Sequence, residues 1–305
     1  MSASGRSVRL FLVDGTATGM ITAEVVNWTG HLLLAPRARL PEVLQRAEAQ
    51  KTGVYMLFGE IVRVGDPRPV YVGESDNVGR RIMQHSKNED RDFEKFCIIT
   101  SKDLNLTKAH SRYLENRLSN LARASGRAAV LNANDPAIGV LPESDIADME
   151  YFVEQVRLVL PVLGFDVLRD TFVPPAHLGT HIMREVDTKI EIVPLTLRSS
   201  RKGLHASAIE RDGEILVRKG SLAEINPQFA INQYASLRDK LIEDGSLKPN
   251  VECSFLVFSR DVLFSSPSAA AAVIYGRNAN GRTSWTLADM TRTLKDHQEA
   301  RQAAE

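Results

Sequence analysis

The chain has 305 residues, 43% of them hydrophobic, and its 38 lysines and arginines balance 38 aspartates and glutamates. That length can bury a sizeable core and suits about two domains of ~150 residues. A formal net charge of +0 excludes a bulk polycation, so any nucleic-acid contact must come from a local basic site. The two cysteines, Cys97 and Cys253, lie far apart in the apolar runs FCII and VECSFLVF. Both are expected to be free, buried, small hydrophobes of a reducing compartment, and they lack metal-ligand spacing. No run of ~18 apolar residues is present, and the N-terminus shows no cleavage pattern. A cytoplasmic protein with no membrane contact is therefore expected.

In chain order, SVRLFLVD (7–14) and HLLLA (31–35) have strand composition, and ITAEVVNW between them suits a helical turn or two. Pro41 opens a helix, PEVLQRAEAQ, at a first-turn position where proline is tolerated. These pieces make an N-terminal extension, 1–50, that either extends a sheet or makes a dimer contact. TGVYMLFGEIVRVG and PVYVGES are strand-like, with a Gly-, Pro- and Asp-rich turn between them, which predicts a hairpin. DNVGRRIMQHS then reads as a helix capped by Ser75 or Asp76, and FEKFCIITS as a third strand. LTKAHSRYLENRLSNLARASG is the clearest helix, with apolar residues at Leu106, Ala109, Tyr113, Leu114, Leu118 and Leu121 and Gly126 as its stop. A further helix, ESDIADMEYFVEQVRLVLPVLG, and a linker fill 137–195. The proline-rich FVPPAHLG marks a boundary between 165 and 195. Beyond it, alternating strands with a hairpin at ERDG, two helical patterns and a Gly/Asn turn ending in Trp285 form a C-terminal domain, 196–305.

The chemistry concentrates in the central block. Tyr55 and Tyr71 sit on the two hairpin strands, so their phenols can share a face. Arg81 and His85 are an i,i+4 pair on one helix face, anchored by Val78 and Ile82. Glu115 borders the apolar stripe of the long helix, and Asn132 follows that helix. A carboxylate suits a hard cation, an arginine grips a phosphate, and a phenol or imidazole moves a proton. Taken singly, each has a bland reading: a strand tyrosine is usually core, and a helical Arg, His or Glu is usually solvated.

Together, GVY (53–55), YVG (71–73), Arg81, His85 and the Leu-Glu-Asn-Arg of the later helix resemble the GIY-YIG nuclease family, with valine for isoleucine in both tripeptides. The resemblance covers residues 50–136. It implies an α+β (α/β sandwich-like) fold, a small antiparallel sheet flanked by helices over 51–136, followed by a second small α+β domain. It also implies a metal-dependent DNA endonuclease using a single Mg²⁺ or Mn²⁺. Glu115 would be the metal ligand and Arg81 the phosphate-facing cation, with Arg80 as its competitor. Tyr55 would activate water, Tyr71 would support it, and His85 would be an auxiliary acid or base. Asn132 would take the asparagine position, with Asn134 as the alternative.

Residues 200–290 also resemble a small domain of unassigned function often joined to such modules, through GLHASA (203–208) and NGRTSW (280–285), and a role in target recognition follows from that association. Weaker DNA contacts are expected at Arg80, Lys87, Arg201 and Lys202, with Arg218 and Lys219 nearby, against a solvated loop. Trp285 is expected to plug a core rather than stack on a base. DNA is the expected partner, and a homodimer is one oligomeric option. The alternative is a catalytically silent nucleic-acid-binding or regulatory protein.

Overall fold

The computed structural model describes residues 5–61, 66–88, 92–132, 141–169, 192–200, 202–211, 213–229, 233–288 and 291–303. These fall into two compact units, one within Ser4–Val173 and the other within Pro174–Glu305, and the architecture is α+β. No helix among the described residues is long and apolar enough to cross a membrane.

The N-terminal unit contains β1 (Val8–Leu12), β2 (Ile21–Val25), β3 (Gly30–Pro36), α1 (Leu40–Val43), β4 (Gly53–Phe58), β5 (Arg68–Ser75), α2 (Val78–Ser86), β6 (Lys95–Ser101), α3 (Lys108–Ser125), β7 (Ala128–Val130) and α4 (Glu143–Val162). Its seven strands form one sheet in the order β1-β2-β3-β6-β4-β5-β7. Segment 1–50 thus contributes three strands to the sheet that holds the hairpin. Every pairing is antiparallel except β5 with β7, which runs parallel. ITAEV, expected as a helical turn, is instead β2, paired on both sides. Its β-branched residues fit a pleated surface, and pairing with two neighbours overrides the weak helical pattern. PEVLQRAEAQ is helical only to Val43, after which Arg46 is extended and Ala47–Gln50 makes a 3-10 turn.

Strand alternation sends successive side chains to opposite faces, and helices cover both. Val54, Met56, Val70 and Val72 pack with Leu114 and Leu118 of α3 and Phe152 and Val156 of α4. Tyr55, Leu57 and Ile98 pack with Val78 and Ile82 of α2 and with Leu40 and Val43. This explains why β4 is buried at every position, the mark of a strand covered on both sides.

Helix ends are set locally. The Asn77 side chain caps α2 by accepting from the Arg80 N–H at 2.9 Å; the cap is neither Ser75 nor Asp76, because the Ser75 hydroxyl is bonded to the Asn77 backbone. Thr107 and His110 form a reciprocal capping box on α3, and Gly126 ends it in the left-handed region.

The C-terminal unit contains β8 (Val193–Ser199), β9 (Leu204–Arg211), β10 (Glu214–Val217), β11 (Leu222–Glu224), α5 (Gln233–Glu243), β12 (Leu247–Pro249), β13 (Phe255–Phe258), β14 (Val262–Phe264), α6 (Pro267–Tyr275), α7 (Gly281–Ser284), β15 (Thr286–Leu287) and α8 (Leu294–Gln302). They build a five-stranded sheet, β14-β10-β9-β8-β15, and a three-stranded one, β11-β13-β12. The hairpin expected at ERDG is present, with Arg211 opposite Glu214. Trp285 is fully buried in this core and donates its indole N–H to the Pro267 carbonyl at 3.1 Å. Cys253, expected to be buried, is exposed at a positive-φ turn position, whereas Cys97 is buried.

Arg238 is 1% exposed. Its guanidinium donates to the Val273 carbonyl at 2.6 Å and to the Glu224 carbonyl, so it ties the last turn of α6 to the end of β11. Burial holds its pKa below the usual arginine value. Arg238→Met strands two buried acceptors at roughly 1–3 kcal/mol each. We expect urea denaturation to show a loss of about 2–6 kcal/mol, and a near-neutral result would mean that the two carbonyls find other donors.

Candidate active site

The site begins with one register. Tyr55 on β4 lies opposite Gly73 on β5, and a Cβ on Gly73 would stand 2.3 Å from the Tyr55 hydroxyl oxygen. The phenol ring lies across the neighbouring strand, and only glycine leaves room for it. Tyr71 is two residues earlier on the same face, and its ring centroid is 6.2 Å from that of Tyr55.

α2 delivers the next pair. Gly79 lets this helix approach Ala49 closely, since a Cβ there would stand 2.8 Å from the Ala49 Cβ. His85 turns inward, 5% exposed, with Nε2 2.8 Å from the Tyr55 hydroxyl and its ring 5.1 Å from Tyr71. In the tautomer with Nε2 unprotonated, Tyr55 donates and His85 accepts. Arg81, one turn earlier, is exposed at the rim and donates to Gln84 at 2.9 Å.

α3 supplies Glu115 from the other face of the sheet. It is half-buried. Beside it stands Glu74, the residue after YVG, whose carboxylate faces Lys108 Nζ at 2.6 Å and Arg112 Nε at 4.0 Å. Asn132 is tied elsewhere: its amide accepts from the Val72 N–H at 3.1 Å and donates to the Val72 carbonyl at 2.7 Å. Two residues beyond β7, it continues that strand's parallel pairing and thereby holds β5.

Arg81 links the two faces electrostatically, because its charge favours ionisation both of Tyr55 and of Glu115. Burial, and then Tyr71, still push the Tyr55 phenol well above the ordinary tyrosine range. Burial, and then Glu74, push the Glu115 carboxyl up to about 7. A half-buried oxygen donor whose ionised form is disfavoured in this way fits a hard divalent cation, which brings the missing positive charge. Among the described residues no group of three or more His, Cys, Asp and Glu is placed to hold a metal ion.

Of the weaker positions, Arg80 is exposed on α2 and Lys87 at its C-terminal cap, and Arg112, which the sequence did not single out, is exposed on α3. Lys202 is paired with Glu224 at 2.6 Å and Arg218 with Asp261 at 3.0 Å. Arg201 and Asn134 lie outside the described residues. Glu74 was also missed, because nothing local distinguishes a strand glutamate whose partners come from a helix more than thirty residues on.

A family model described as a domain of unknown function (DUF4357) matches residues 196–298, a range that takes in GLHASA and NGRTSW. No curated protein and no solved structure matches the chain.

The Glu115 carboxyl, raised on folding from about 4.5 to about 7, gives a pH test without any metal. Stability from its protonated form is fully present below about 4.5 and is lost as pH rises through 7. In chelator, the melting temperature of the wild type is therefore expected to fall relative to Glu115→Gln across that window. Parallel curves for the two proteins would contradict the raised pKa.

Proposed function

We propose that the N-terminal unit is a divalent-cation-dependent DNA endonuclease of the GIY-YIG type, which hydrolyses a phosphodiester held against Tyr55, Tyr71, Arg81, His85 and Glu115. The observation that carries this reading is that Tyr55, Tyr71 and His85 meet beside the YVG strand, while the charge of Arg81 acts both on that phenol and on the Glu115 carboxyl. The order of residues alone leaves them on four separate elements.

Glu115 would hold the cation, Mg²⁺ or Mn²⁺, which when bound supplies Lewis-acid polarisation of a phosphoryl oxygen. Arg81, at the rim, faces the phosphate and stabilises charge that grows on its oxygens. Tyr55 keeps its proton at neutral pH, so it is a poor base by itself. It takes a proton from the attacking water only as it passes its own to His85 Nε2, the acceptor 2.8 Å away. Water then attacks phosphorus in line, and the bond to the leaving oxygen breaks. Tyr71 packs beside both members of the relay and fixes their orientation. Asn132 acts at one remove, through Val72 of the strand that carries Tyr71 and Gly73.

DNA would be gripped by the exposed cations Arg80 on α2 and Lys87 at its C-terminal cap. The C-terminal unit is assigned to target choice, since a small nuclease module has little surface for reading bases.

Cleavage of single-stranded and duplex DNA is the direct test. It should require Mg²⁺ or Mn²⁺, stop with chelator, and vanish in Glu115→Gln. Arg81→Ala should cost about 10²–10³-fold. Tyr55→Phe and His85→Ala should each cost a similar factor, and the double variant little more, because a relay fails as a unit. Full activity in Glu115→Gln would refute the reading, and a protein that binds DNA in every variant but never cuts it would be a silent binding module.

Binding offers a second test. Replacing Arg80 or Lys87 by alanine should each weaken DNA binding and lower the slope of log affinity against log salt by about 1. Lys202→Ala, whose lysine is already paired, should leave the slope unchanged.

A further inference from the structure

Glu74 has no part in the chemistry above, yet its position is unusual. It follows YVG on β5, and strand alternation turns its side chain away from Tyr71 and toward α3. On α3, Lys108, Arg112 and Glu115 stand at i, i+4 and i+7, a single stripe of the helix. Two members of that stripe reach the Glu74 carboxylate, Lys108 at 2.6 Å and Arg112 at 4.0 Å. The stripe that carries Glu115 therefore lies against Glu74.

The Glu74 side chain is 14% exposed. Its Oε2 is buried and has no aligned hydrogen-bond donor, although the Lys108 ammonium is close. The same ammonium is 3.5 Å from Asp76 and favours the ionised form of Glu115. Lys108 thus stands as a tethered monovalent cation shared among carboxylates. Mg²⁺ is commonly bound through one or two carboxylates together with waters and substrate phosphate, and a second carboxylate is available here.

We propose that Glu74 is a second protein ligand of the divalent cation at Glu115, and that Lys108 occupies the Glu74 carboxylate until that cation displaces it. The proposal rests on the nuclease reading only for the presence of a cation at Glu115. Two carboxylates in place of one give the site affinity before DNA arrives, and the released Lys108 ammonium becomes free to meet a phosphate.

The test is Mn²⁺ binding by the full chain, followed by the paramagnetic resonance of free Mn²⁺, alone and with a phosphorothioate DNA duplex that resists cleavage. Wild type, Glu74→Gln, Glu74→Asp, Glu115→Gln and Lys108→Met are compared after circular dichroism shows each to be folded. Glu74→Gln should weaken Mn²⁺ binding by about tenfold or more, Glu74→Asp should recover part of the loss, and Lys108→Met should tighten binding several-fold. Wild-type affinity in Glu74→Gln, with binding lost in Glu115→Gln, would overturn the role of Glu74 and leave the nuclease reading standing. Unchanged or weaker binding in Lys108→Met would overturn the displacement, even if Glu74→Gln fails to fold. No Mn²⁺ binding by the wild type in either condition would remove the cation site itself, and the proposal with it.

Discussion

The Tyr55 ring lies across Gly73 of the adjacent strand, and the rest of the site is arranged around that contact. It fixes the register of β4 against β5, because a one-residue slip would set the ring on a side chain and turn every core residue of β4 to the wrong face. It also brings the phenol oxygen to the edge of the β4 core, where α2 can reach it. His85 meets that oxygen because Gly79 allows α2 to lie close to the 3-10 turn at Ala47–Gln50. Two glycines thus set the distance between a hydroxyl and an imidazole.

The sheet separates the two phenols and the imidazole from the two carboxylates. Tyr55, Tyr71 and His85 are on the α2 face, and Glu74 and Glu115 are on the α3 face. Burial disfavours ionisation on both sides, as the raised phenol and carboxyl show. Arg81 at the rim partly offsets that cost for each.

Local chemistry made much of this legible in the sequence. The hairpin could be read from two apolar runs around a Gly/Pro/Asp turn, α3 from its periodic stripe and Gly126, and the Arg81–His85 face from an i,i+4 spacing. The C-terminal hairpin at ERDG and the burial of Trp285 were equally readable. What failed depended on distant partners. ITAEV became β2 because two strands flank it, and Cys253 is exposed because its turn leaves the apolar run. Asn132 was legible as a position but not as a clip on Val72, since the sequence does not show which backbone its amide will face. Glu74 was invisible for the same reason.

That clip has a chemical side. β7 supplies only three paired residues, and the amide of Asn132 stands in for the next peptide group. Ordinary strand pairing is lost only by unfolding, but a side-chain amide also ages. Hydrolysis to aspartate would exchange the N–H donor for a carboxylate oxygen facing the Val72 carbonyl, and attraction would become repulsion. The strand that positions Tyr71 and Gly73 is therefore fastened by a group with a covalent lifetime of its own.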